Sequence, residues 1–139
     1  MELPIIFMFA IIIIAGALLF AVICRTKHSG KKLDVEKYRT KCLEIENQLR
    51  KEQVSSYHLT VLNADKLVGQ ALTELDIKGE TMGEKMKNAK NIFSDNNGIW
   101  TAHKLRNKVA HDTDVYISYD DAKRALMNFR KALKDLGAI

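Results

Sequence analysis

Arg106-Asn107-Lys108-Val109-Ala110-His111 is the segment of this 139-residue chain whose residue types and spacing could carry chemistry. Arginine is a permanently charged, forked donor, and a histidine imidazole exchanges a proton near neutral pH. Asn107, one turn before His111, is placed to orient a neighbouring ring. The periodicity predicts a helix over 99–111. At 100° per residue, Ile99, Ala102, Leu105 and Val109 share its core face, while Thr101, Lys104 and Lys108 lie opposite. Trp100, His103, Asn107, Ala110 and His111 form a second face, with Arg106 beyond it at the core edge. A surface helix has one buried stripe. This one has nearly two, which makes it the central helix of a bundle or the face of a dimer. Residues five apart diverge by about 140° on a regular helix, so Arg106 and His111 do not converge by themselves. Convergence needs a frayed last turn at His111, or a second copy across a two-fold axis.

Each residue also has a plain structural use. Arg106 can pair with Asp65, and His111 with Asp112 can simply end the helix. Trp100 fits a core or interface position better than a base-stacking platform. The cations of the last helix (Lys123, Arg124, Arg130, Lys131, Lys134) fit a solvated face, or a track for RNA phosphates. No Gly-rich phosphate loop, Cys/His metal cluster or Ser-His-Asp arrangement is present, so metalloenzyme and NTPase chemistry lack their residues, and no cofactor or metal is expected.

The elements that must position these residues follow from hydropathy. Leu3 to Cys24 is an apolar run without charge. It would span roughly 33 Å as a helix, against a hydrocarbon core of about 30 Å. The expectation is a single membrane-spanning helix in residues 1–24, with the membrane as a partner through 3–24. A cleaved signal peptide fits less well, because the chain opens Met1-Glu2 and the run is long. Arg25, Lys27, Lys31 and Lys32 follow the span, so the positive-inside bias puts the rest in the cytoplasm of a single-pass cell-membrane protein. Residues 25–32 form a basic juxtamembrane linker. Residues 33–53 are a charged stalk helix with a seam at Val35, Tyr38, Cys42, Ile45 and Leu49. A second stripe runs through Tyr57, Val61, Ala64, Val68, Ala71 and Leu75. Thr81 and Glu84 are spaced as a capping box, SDNNG at 94–98 is a turn, and 113–118 is an extended connection. Ser118 and Asp121 cap a last helix whose core face is Ala122, Ala125, Leu126, Phe129, Leu133 and Leu136, and Gly137 stops it. The fold class is all-α: a transmembrane helix plus an antiparallel bundle of four to five helices.

Charge narrows the function little. With Arg25, Lys27, Lys31 and Lys32 set aside from the 22 cations and Glu2 from the 17 anions, 18 basic residues face 16 acidic ones from Leu33 onward. That near-balance is weak evidence for nucleic acid. Cys24 and Cys42 have neither metal nor redox spacing and suit a reducing compartment, with Cys24 a plain membrane-edge cysteine or a palmitoylation site.

R-N-x-x-x-H near the end of a helix, followed by one more amphipathic helix, resembles the HEPN superfamily. Its signature is an Arg, often with Asn after it, then a His four to six residues on. The likeness covers about residues 54–137, giving a HEPN-like domain over 54–139. Catalytic members are metal-independent endoribonucleases whose homodimers share a cleft and leave a cyclic phosphate. The resemblance implies that His111 acts as general acid or base on a ribose 2′-hydroxyl, and that Arg106 holds the scissile phosphate. It also implies that Asn107 orients either group, with His103 and Asp65 supporting from behind. The alternative is a non-catalytic, membrane-tethered scaffold recruiting a protein partner, in which the same residues are structural.

Overall fold

The computed structural model describes the backbone of residues 3–26, 30–112 and 114–139, and the side chains of 5–21, 30–112 and 114–139. Two units result, Met1–Gly30 and Lys31–Ile139. The first holds one helix, α1 (Leu3–Thr26). Among the described residues no helix is long and apolar enough to cross a membrane. This corrects the expectation of a membrane-spanning helix over 3–24. A span needs length and sustained apolarity together on one helix, and no described helix combines them. The orientation argument therefore has no span to act on. The side chains of Cys24, Arg25 and Lys27, and residues 27–29 of the expected linker, lie outside the described residues.

The second unit contains α2 (Val35–Gln48), α3 (Val54–Glu74), α4 (Met82–Asn88), α5 (Asn96–His111) and α6 (Tyr119–Asp135), with no strand among the described residues. The all-helical bundle expected from the apolar stripes is what forms. α3 is its centre and packs against α2, α5 and α6, while α5 also packs on α6. Val61, Val68, Ala71 and Leu72 of α3 are fully buried, as is Phe129 of α6. Each large side chain so removed from water contributes about 1.5–3 kcal/mol, which offsets the entropy of ordering five helices. The segment expected as a stalk, 33–53, forms α2 and a turn. Its short seam is not left for a coiled coil: Tyr38, Cys42 and Ile45 are buried in the same core as α3.

Helix ends are set by side chains that satisfy the orphan amides of the first turn. The Asp34 carboxylate accepts from Lys37 N at 3.1 Å and Thr81 Oγ1 from Glu84 N at 3.2 Å. Glu84 reaches back to Glu80 N rather than to Thr81, so that box is half formed. Ser118 and Asp121 complete theirs, each accepting from the other's backbone amide. α5 starts three residues earlier than its periodicity indicates. Asp95, expected inside a turn, accepts from Gly98 N at 2.8 Å and caps the helix. The extended connection before α6 is anchored by Ile117, whose side chain is buried, and Gly137 ends α6 at φ +72°.

Candidate functional site

α5 carries His103 on the side packed against α3, and there it meets Asp65. His103 Nδ1 lies 2.7 Å from Asp65 Oδ1, with side-chain exposures of 8% and 5%. His103 Nε2 lies 3.3 Å from Asn107 Nδ2, and Asn107 Oδ1 accepts from Arg106 Nη1 at 3.0 Å. Arg106 Nε comes within 3.3 Å of Asp65 Oδ2. This last approach is an ion-pair contact without hydrogen-bond alignment, and the buried Nε–H has no hydrogen-bond acceptor. Four residues thus close a ring: Asp65, His103, Asn107, Arg106 and back to Asp65.

The ring assigns its own protons. Arginine only donates, so the atom of Asn107 facing Arg106 is the amide oxygen. The Asn107 NH2 group therefore faces His103 and donates to Nε2, which must carry a lone pair. The imidazole proton is then on Nδ1, donating to Asp65, a pattern that fixes both tautomer and ring orientation. The helix supplies the spacing, since His103 and Asn107 are one turn apart on α5. Trp100 stands edge-on to the His103 ring, with centroids 6.1 Å apart. It is half-buried against the core and is not a free stacking platform.

The expected site residues divide between two grooves. His111, the last residue of α5, is exposed and lines a groove of about 890 Å³ between α5 and α6. It shares that groove with Asn107, Lys104, Lys108 and Arg124, over apolar surface from Ala102, Leu105 and Ala125. Arg106, with a side chain 35% exposed, faces a second groove of about 690 Å³ with Asp65. So Asp65, His103, Arg106 and Asn107 come together, and His111 stands apart, as the 140° divergence requires. The pairing of Arg106 with Asp65, raised from the sequence as a structural use, is what forms. Asn107 touches both sides: it borders the His111 groove and bonds Arg106.

The second groove contains residues that sequence reading missed. Lys37 and Lys41 of α2, Lys66 of α3 and Lys85 of α4 line it beside Arg106. They lie on three separate helices with no common motif, so no signal in the sequence gathers them. Lys37 Nζ donates to Glu74 at 3.0 Å, and that bond holds the Glu74 carboxyl below its usual range. Nearby, burial and then Glu74 push the Tyr38 hydroxyl well above the ordinary tyrosine value. Among the described residues no group of His, Cys, Asp and Glu could hold a metal ion.

Comparison with protein-family models, curated proteins and solved structures finds no match to this chain.

Proposed function

We propose that residues 31–139 form a HEPN-like RNA-binding domain that works as a homodimer and cleaves RNA without a metal, joining Arg106 of one copy to His111 of the other. One observation carries the reading: Arg106 is held by Asp65 and Asn107 before any ligand arrives, with its guanidinium at the mouth of a groove. A cation fixed in this way stabilises developing phosphate charge with little reorganisation. His111, by contrast, is exposed, has no hydrogen bond or ion pair with a described residue, and lines an open groove.

In the reaction, His111 takes the proton of a ribose 2′-hydroxyl, and the 2′-oxygen attacks the adjacent phosphorus. The bond from phosphorus to the 5′-oxygen breaks, and a 2′,3′-cyclic phosphate remains. The 5′-oxygen leaves with a proton from water, and the His111 imidazolium returns its proton to the hydroxide left behind. Arg106 carries the extra negative charge on the phosphoryl oxygens. Because the two residues open onto different grooves within one copy, this chemistry requires the second copy.

The test incubates the full-length protein with RNA in EDTA, alongside Arg106→Ala and His111→Ala. Cleavage that survives EDTA, ends in cyclic phosphate and disappears in both variants supports the reading. Intact RNA with a protein shown to be folded and dimeric removes it. A second reading then takes over, favoured by the ring itself: Asp65, His103, Asn107 and Arg106 bond mainly to one another and can serve purely to lock α5 onto α3. The domain would then be a non-catalytic interaction module for a protein partner.

A further inference from the structure

The groove beside Arg106 concentrates positive charge that the rest of the domain lacks. Lys37, Lys41, Lys66, Lys85 and Arg106 line it against two carboxylates, Asp65 and Glu74. That leaves a surplus of three cations in one groove, whereas residues 33–139 together carry a surplus of only two. Everything outside the groove is therefore slightly acidic.

Neither carboxylate is available to cancel the surplus. Asp65 is buried and turned toward His103 and Arg106, and Glu74 is taken by Lys37. Lys85 Nζ donates to the Thr73 hydroxyl at 2.7 Å, a neutral partner that positions the ammonium and leaves its charge intact. Lys41 and Lys66 have no ion-pair partner among the described residues. Like charges held close together cost free energy unless an anion joins them.

Among the described residues no aromatic side chain lines the groove, so it offers no aromatic platform for a base. Asn63 and Gln70 add neutral amides able to bond phosphate oxygens. We propose that this groove binds a chain of phosphates through Lys41, Lys66 and Lys85, with Arg106 at its edge, without reading bases. The chemistry is shared by an RNA backbone and a free polyphosphate. The inference deepens the ribonuclease reading by giving a strand a path to Arg106, yet it stands or falls on binding alone.

The experiment measures fluorescence anisotropy of full-length protein with labelled 2′-O-methyl oligonucleotides, which cannot form a cyclic phosphate, across a salt series. Lys41→Gln/Lys66→Gln is compared with Lys87→Gln/Lys90→Gln, two exposed lysines on neither groove, after thermal melts show all variants folded. The groove variant should bind on the order of tenfold more weakly and lose about 1.4 from the slope of log affinity against log salt, roughly 0.7 per phosphate contact. Oligonucleotides of different sequence and equal length should bind alike, whether or not cleavable RNA is ever cut. Inorganic triphosphate distinguishes the sources. Binding tighter than an oligonucleotide's, abolished in the groove variant, assigns a free polyphosphate. Weak competition with a steep oligonucleotide salt slope assigns the RNA backbone. An unchanged slope in Lys41→Gln/Lys66→Gln, or a loss seen instead in Lys123→Gln/Lys134→Gln on α6, overturns the proposal.

Discussion

His103 Nδ1 donates to Asp65 Oδ1 across 2.7 Å in the interface between α5 and α3, with both side chains almost wholly out of water. Asp65 is also the anion that Arg106 approaches. One buried carboxylate therefore orients the two donor residues that make up most of the candidate site. Removing it strands an imidazole N–H and leaves a guanidinium without its counter-charge.

Asp65→Ala should lower stability by about 3 kcal/mol, the usual scale for breaking a buried pair from one side. For a domain of this size that is a fall in Tm of more than 10 °C. Asp65→Asn keeps an acceptor for His103 and should cost less. Thermal melts of the two variants check this, and equal losses would mean that the carboxylate charge does not matter.

Exposure separates His111 from the ring. His111→Ala should change stability by less than about 0.5 kcal/mol, as expected for an exposed side chain without hydrogen-bond or ion-pair partners among the described residues. If the ribonuclease reading holds, it should abolish cleavage while leaving dimerisation and the melt unchanged. A large fall in Tm would place His111 in the fold instead of at a site.

A composite site predicts complementation. Arg106→Ala and His111→Ala proteins, each inactive, should recover activity when mixed and allowed to exchange subunits. A mixed dimer retains one intact Arg106–His111 pair. At random exchange half of the dimers are mixed and each has one of two sites, so recovery should approach roughly a quarter of wild type. No recovery despite proven exchange argues that each site lies within one copy.

The cap of α6 has a pH signature. Ser118 hydrogen bonds hold the Asp121 carboxyl below its usual value of 3.8. A depressed folded value means that Asp121 stabilises the fold above the unfolded pKa, and that this contribution is lost as pH falls through the folded one. Ser118→Ala should cost about 1 kcal/mol near neutrality. It should also flatten the loss of stability as pH falls below the usual carboxylate range, seen in paired urea melts. Parallel pH curves for the two proteins would contradict the assignment.

Gly79 sits at φ +142° before α4, and a Cβ there would lie 2.7 Å from Lys85 N. Gly79→Ala should destabilise by more than 1 kcal/mol through both strain and a backbone clash. The urea midpoint measures it, and an unchanged midpoint would show that the turn can re-form.

Much of the bundle was legible in the sequence because helix periodicity and caps are local. The stripe from Tyr57 to Leu75, the face from Ala122 to Leu136 and the Ser118–Asp121 box each lie within a few turns, and the structure forms them. The start of α5 was misplaced for an equally local reason. Asp95 in a run of turn formers can cap a helix as well as end one, and only the Gly98 N–H shows which it does. The apolar run at 3–24 illustrates the limit of composition, since hydropathy along the sequence put a span where no described helix is long and apolar enough to cross a membrane.

What the sequence determined by itself is the identity and angular placement of Arg106, Asn107 and His111 on one helix, because 100° per residue is a property of the backbone. On a regular helix that angle keeps Arg106 and His111 apart, leaving only a frayed last turn or a second copy to bring them together. Tertiary structure decided the rest: that Asp65, 38 residues before His103, closes a ring with three α5 side chains, and that lysines from three other helices gather beside Arg106. Such groupings depend on how α3 and α5 cross and on which rotamers the packed core leaves open. No spacing along the chain encodes that, because each partner lies on an element whose own pattern reports only its distance from the core.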